Sequence, residues 1–226
     1  MRKSVFLLLL FLCIVFLMPA GLAAAQDESV SLDTDTKDIS DEFIDIVDYL
    51  YEDEGLISTN VGDYYFVDDY TDEWAQMYWY QWSYLTDMEI ADFVIRAKIT
   101  WKSASDTPQW ADSGCGFVFR EQDADNHLKA NLALDGNVYI NGARNANWLS
   151  YGTKSFDRHS TSGSAYFTLA ASGSDVTVMI DDSIVHQARN VAMTDPGYLA
   201  FVVVSGTNKG FGTRCEFEEV EIFVIE

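Results

Sequence analysis

Five aromatic rings fall within eight residues at Met77 to Tyr84, "MYWYQWSY". As a strand, this stretch sends Tyr78, Tyr80, Trp82 and Tyr84 to one side and Met77, Trp79, Gln81 and Ser83 to the other. A row of flat rings with hydroxyl and indole donors can stack on the apolar face of a pyranose, and it can equally fill the space between two sheets. Both readings stay open at this point. Further along, Arg96, Lys98, Arg120, His127, Lys129 and Asn131 alternate with apolar residues, which gathers polar hydrogen-bonding groups on outward strand positions. Rings beside such groups would make a ligand groove, with Trp110, Trp148 and Tyr151, placed in expected loops, as further contributors.

Other chemistries find less support. Glycosidic hydrolysis needs two carboxylates across the scissile bond, and the acid clusters Glu42, Asp45, Asp48 and Glu216, Glu218, Glu219 are the ones to test. A nucleophilic hydrolase of the G-x-S-x-G type has no motif here. His127, His159 and His186 occupy unrelated contexts and are expected at surface or hairpin positions. One histidine with two distant cysteines does not make a zinc site. Calcium is the candidate cofactor, because hard cations select carboxylate and carbonyl oxygens. Its candidate ligands are Asp68, Asp69, Asp72 and Glu73, then Asp123, Asp125 and Asn126, then Asp181 and Asp182. None of these runs reproduces the EF-hand loop.

The opening residues bear on where such a site would work. Arg2 and Lys3 precede an apolar run from Val5 to Met18, and small residues follow up to Ala25, the three-part pattern of a secretory signal peptide. The alternative is an uncleaved membrane anchor. Cleavage after Ala25 removes two positive charges and no negative ones, so the formal charge of −22 becomes −24. A field of that sign opposes nucleic acid and anionic lipid and is compatible with glycan or cell-surface ligands. After cleavage two cysteines remain, Cys115 and Cys215, and an even count in an exported chain favours one disulfide without proving it.

The elements that must position these residues are short strands. After an acidic leader over residues 26–38, apolar residues at Ile39, Phe43, Ile46, Val47 and Leu50 follow a helical spacing behind Asp38 or Ser40 as caps. In "DFVIRAKITW", Phe93, Ile95, Ala97, Ile99 and Trp101 share one face, with period-two alternation. "GFVFR", "HLKANLAL" and "NVYING" continue as a meander, with Asp135-Gly136 as a tight hairpin. "SAYFTLAA", "VTVMI", "IVHQA", "GYLAFVVVS" and "CEFEEVEIFVI" repeat the pattern. About a dozen strands with regular turns over residues 39–226 are best met by an all-β, two-sheet antiparallel β-sandwich of jelly-roll kind in one domain.

The order "DEFID", "GDYYF", "DFVIRAKI", "GFVFREQDADNHLKANLALDG", "VTVMIDDSIVHQ", "GYLAFVVVS" and "FEEVEIF" resembles the concanavalin A-like lectin/glucanase superfamily, and within it the laminin-G-like domains of exported bacterial proteins. The resemblance implies a concanavalin-like sandwich and carbohydrate or another extracellular ligand as partner. Glucanases of that superfamily carry E-x-D-x-x-E on one strand, and neither acid cluster above has that spacing. The chain is also similar in strand order to 3-keto-disaccharide hydrolase domains, but "HLKANLALDG" stands where that family has an acid-bearing segment. The residues therefore favour a non-catalytic binding module, with a glycoside-processing hydrolase and a structural or adhesive surface protein as the alternatives.

Overall fold

A computed structural model of the chain describes residues 39–226. The signal-peptide and acidic-leader expectations, over residues 1–25 and 26–38, lie outside the described residues. Helix α1 spans Asp41–Asp48 and is capped by Ser40, whose hydroxyl accepts from the Phe43 amide at 3.2 Å. A π-helical turn, Tyr49–Asp53, continues it. The apolar spacing read from the sequence has its cause here, since Phe43, Ile46, Val47 and Leu50 are all buried.

Thirteen strands follow among the described residues. One sheet contains β1 (Gly62–Val67), β2 (Tyr70–Trp74), β4 (Phe93–Ser103), β9 (Ser162–Ser172), β10 (Asp175–Ile180), β11 (Ser183–Ala188) and β13 (Thr213–Ile225). Its order is β1-β13-β4-β9-β10-β11, with β2 also paired to β13. The other sheet contains β3 (Trp79–Tyr84), β5 (Gly114–Asp123), β6 (Asn126–Ala133), β7 (Asn137–Arg144), β8 (Asn147–Ser155) and β12 (Tyr198–Ser205), in the order β3-β12-β5-β6-β7-β8. Every pairing is antiparallel. The expected two-sheet jelly-roll sandwich is thus the observed architecture.

The inward residues follow from alternation. Phe93, Ile95, Ala97, Ile99 and Trp101 of β4 meet Phe117 and Phe119 of β5, Leu128, Ala130 and Leu132 of β6, and Phe201 of β12 in one buried core. Across this core runs a disulfide from Cys115 on β5 to Cys215 on β13, with Cα atoms 5.8 Å apart. It ties one sheet to the other.

The two outer faces differ. On the first sheet, α1 packs against Val94, Ala170, Met179 and Phe223, making a second small core. On the second sheet, Val118, Ala200, Val202 and Val204 point outward, and the side chains packed on them come from within the same sheet, from Tyr80 and Trp82. We call these the helix sheet and the aromatic sheet. One element departs from the sequence reading: Trp148 and Tyr151, expected in loops, lie on β8. The run "NWLSYGTKS" is polar and interrupted by glycine, so it carries no alternation to read, and pairing with β7 makes it a strand.

Candidate functional site on the aromatic sheet

β3 is an edge strand, paired only with β12, in the register Tyr80↔Val204, Trp82↔Val202 and Tyr84↔Ala200. Its alternation turns Gln81 and Ser83 toward the core, opposite Val203 and Phe201, and turns Tyr80, Trp82 and Tyr84 outward. Beyond two intervening strands, β12 and β5, β6 sends Leu128, Ala130 and Leu132 inward and His127, Lys129 and Asn131 outward. Between them the outward residues of β12 and β5 are small: Ala200 and Val202 on one, Gly116 and Val118 on the other. A Cβ built at Gly116 would lie 2.1 Å from the Ala130 carbonyl oxygen, so this position accepts no side chain.

That low ground lets the rings of β3 lie across it. The Tyr80 hydroxyl and His127 Nε2 are 2.7 Å apart. Tyr80 stacks on Trp82 at 5.7 Å between centroids, and the Trp82 and His127 rings are 5.2 Å apart. The Lys129 ammonium lies 4.4 Å above the centre of the Tyr80 ring, a cation–π contact. Next along the sheet, β7 places Asn141 opposite Lys129 and Tyr139 opposite Asn131. The Tyr139 hydroxyl donates to Asp135 at 2.7 Å. Tyr84 meets Tyr198 edge to face at 5.5 Å, beside the buried carboxyl of Glu121.

The electrostatics follow from burial. Desolvation pulls the Lys129 ammonium down to about 8, against a small opposing influence of Asp112. His127 is lowered by burial and then by Lys129, which favours a neutral ring. Burial raises the Tyr80 hydroxyl and the Glu121 carboxyl. Asn131 Oδ1 and Asn141 Oδ1 are buried with no hydrogen-bond partner. Chemically, the face offers stacked rings, a cationic donor and two free carbonyl acceptors.

Of the residues singled out in the sequence, the fold brings together Tyr80, Trp82, Tyr84, His127, Lys129 and Asn131. Four are placed elsewhere. Tyr78 precedes β3 with φ of 67°, a left-handed backbone that takes it out of the alternation, and it is 63% exposed. Arg96 and Lys98 sit on the outer face of the helix sheet, because β4 belongs to that sheet. There Arg96 stacks over Tyr166 at 4.0 Å and contacts Asp182 at 3.5 Å, while Lys98 pairs with Glu218 at 3.2 Å. Arg120 occupies a bulge with φ of 50° and is fully buried. It donates to the Ala91 and Met193 carbonyls, both at 2.8 Å, and to Asp92 at 3.0 Å.

The histidines were expected at surface or hairpin positions, and His127 and His186 lie on the hairpin strands β6 and β11 but are buried there. His127 and His186 are 1% and 3% exposed, and only His159 is exposed, edge-on to Trp110 at 4.0 Å. The calcium candidates have other partners: Glu73 binds Arg214, Asp72 accepts from Gln81, Asp123 accepts from Asn126, and Asp181 pairs with Arg158. Among the described residues no three His, Cys, Asp or Glu side chains gather as metal ligands. Sequence reasoning missed Asn141, Tyr139, Tyr198 and Glu121. Only the alternation of "NVYING" signalled the first two. Two open depressions of about 420 and 490 Å³ lie on the opposite, helix-sheet face. Both are lined mainly by polar and charged side chains, among them Arg96, Glu221 and Arg214, and they lack a stacked pair of rings.

The architecture is a two-sheet jelly roll of concanavalin-like kind. Comparison with solved structures gives "A. japonicus CB05", with a TM-score of 0.50 and 11% identity, over 73% of this chain and 26% of that one. It also gives the carbohydrate binding module CBM66 from Bacillus subtilis, with a TM-score of 0.49 and 16% identity, over 71% of this chain and 91% of that one. A third is the Caenorhabditis elegans galectin LEC-6, with a TM-score of 0.44 and 12% identity, over 70% of this chain and 96% of that one. At these identities the likeness is one of fold. No protein-family model matches the chain, and no curated protein matches it by sequence.

Proposed function

We propose that the protein is an exported, non-catalytic module that binds carbohydrate on the outer face of the aromatic sheet. The observation that carries this reading is the stacked Tyr80–Trp82 pair on an outer face without a covering helix among the described residues, directly against His127 and Lys129. Stacked rings take the apolar face of a sugar, and nearby amides and cations take its hydroxyls. The names of the structural neighbours, a carbohydrate binding module and a galectin, are in keeping with this class of ligand. Export rests on the signal-like residues 1–25.

A glycan-array screen of the protein, run with and without calcium, tests the reading. Saturable binding to a defined glycan, lost on Trp82→Ala with the fold retained, supports it. A blank array from folded protein removes it and favours the structural or adhesive alternative. A hydrolase is the second reading, and one observation favours it: Glu121 is a buried carboxyl with a raised pKa on the same face as the rings. Release of reducing ends from a bound glycan, abolished by Glu121→Gln, would establish it.

A further inference from the structure

We infer that the ligand of the aromatic face is an acidic glycan, whose uronic carboxylate pairs with the Lys129 ammonium. This rests on the glycan reading above and narrows it to a class.

Lys129 stands in the middle of β6 and is 4% exposed. A buried ammonium is costly unless an anion and further hydrogen bonds compensate it. The other buried cations of the described chain are compensated: Arg120 by Asp92 and two backbone carbonyls, Arg96 by Asp182 and the Tyr166 ring. Among the described residues Lys129 has no carboxylate within ion-pair distance; the Tyr80 ring lies against its charge, and Asp112 acts on it only from beyond that distance. An ammonium has three donors, and a ring face does not fill them.

The neighbours of Lys129 fit the rest of a uronate. Asn131 Oδ1 and Asn141 Oδ1, on the same strand face and directly across from Lys129, are buried acceptors without donors. Sugar hydroxyls supply donors. The Tyr80 and Trp82 rings supply the stacking surface, the Tyr80 ring lies against the ammonium, and both belong to an edge strand with one neighbour. A uronic acid residue offers a carboxylate, hydroxyls and an apolar ring face together. The net charge of −22 repels anions at long range, so a uronate is held by its local contact with Lys129 against that field.

The titratable and charged groups facing Lys129 are Tyr80 from β3, His127 from its own strand, and Asp112 from the turn Trp110–Asp112. A carboxylate arriving among them raises the affinity of Lys129 for its proton, so binding near pH 8 takes up a proton from buffer.

The test is calorimetric titration of the protein with polygalacturonate, alginate and glucuronan oligosaccharides, each beside its carboxyl-reduced neutral counterpart. At least one acid form is expected to bind about tenfold or more tighter than its neutral partner. That preference should vanish in Lys129→Met and survive in Lys129→Arg, and proton uptake at pH 8 should appear in buffers of different ionisation enthalpy. If Lys129→Met does not fold, the acid-to-neutral ratio and the proton uptake of the unaltered protein decide. Equal affinity for acid and neutral forms, or binding of neutral forms only, overturns the inference and leaves the glycan reading standing. Failure of every form to bind folded protein overturns the inference, and a blank glycan array beside it overturns the glycan reading as well.

Discussion

The Tyr80 hydroxyl and His127 Nε2 stand 2.7 Å apart although two strands, β12 and β5, separate their backbones in the sheet. The contact exists because the intervening outward residues are Ala200, Val202, Gly116 and Val118, over which a tyrosine ring can lie. It fixes the ring on which Trp82 stacks and above which Lys129 is held. Tyr80→Phe removes one partner and leaves a buried imidazole nitrogen unsatisfied, at a cost of about 1–3 kcal/mol. Chemical denaturation should show that loss, and glycan affinity should fall with it. An unchanged midpoint would mean that the bond contributes nothing to stability.

Trp82→Ala should weaken glycan binding by about tenfold or more, since one stacked ring contributes on the order of 1–2 kcal/mol. Trp82 is half-buried on an edge strand, outside the main core. The sandwich should therefore remain folded, as circular dichroism and the thermal midpoint will record. Collapse of the fold would identify the ring as structural.

Arg96→Gln and Lys98→Gln lie on the opposite face of the sandwich and should leave glycan affinity unchanged within about twofold. Arg120→Ala should behave differently. It removes a buried guanidinium that joins Ala91, Asp92 and Met193. Breaking a buried pair in this way costs about 3–5 kcal/mol. The measurement is the unfolding free energy of each variant, and a mild effect at Arg120 would contradict the clamp.

Lys129 confers a pH dependence of definite sign. Its folded pKa of about 8 is below the ordinary lysine value of 10.5, so between these two the unfolded chain binds more protons than the folded one. Stability therefore gains from Lys129 as pH rises through that window, by on the order of 3 kcal/mol in total. Below pH 8 the burial penalty is fully present. Buried tyrosines such as Tyr80, whose folded pKa is raised, work in the opposite direction above pH 10. The comparison is thus the difference between the unaltered protein and Lys129→Met from pH 7 to 10. A difference that stays flat would show that Lys129 is not desolvated.

Reducing the Cys115–Cys215 bridge opens a loop of 100 residues that joins the two sheets across the core. By chain-entropy arguments the loss is about 4–5 kcal/mol. Paired Cys115→Ser and Cys215→Ser substitutions should lower the denaturation midpoint accordingly, and reductant should then have no further effect on the variant.

The strands that alternate strictly were legible without coordinates. In "DFVIRAKITW" each apolar residue named for the inner face is in the core, as are the alternating Leu128, Ala130 and Leu132 of "HLKANLAL", and the Ser40 cap and the apolar stripe of α1 lie where their spacing places them. β8 was not legible, because its polar, glycine-interrupted residues carry no period and its pairing with β7 supplies the regularity. Within the site, "MYWYQWSY" identified Tyr80, Trp82 and Tyr84 as sharing one face. It was silent on which face is core, since rings suit either side.

By itself the sequence determined the all-β sandwich, the inward residues of its regular strands and the pair of cysteines suited to a bridge, because period-two patterning and turn chemistry act locally along the chain. Only the tertiary structure decided which sheet each strand joins. That choice put β4, with Arg96 and Lys98, on the helix sheet, and put β6, with His127, Lys129 and Asn131, three strands from β3 on the aromatic sheet. Strand order is set by contacts between residues far apart in sequence. An outward polar residue therefore reads the same on either sheet until its neighbours are in place.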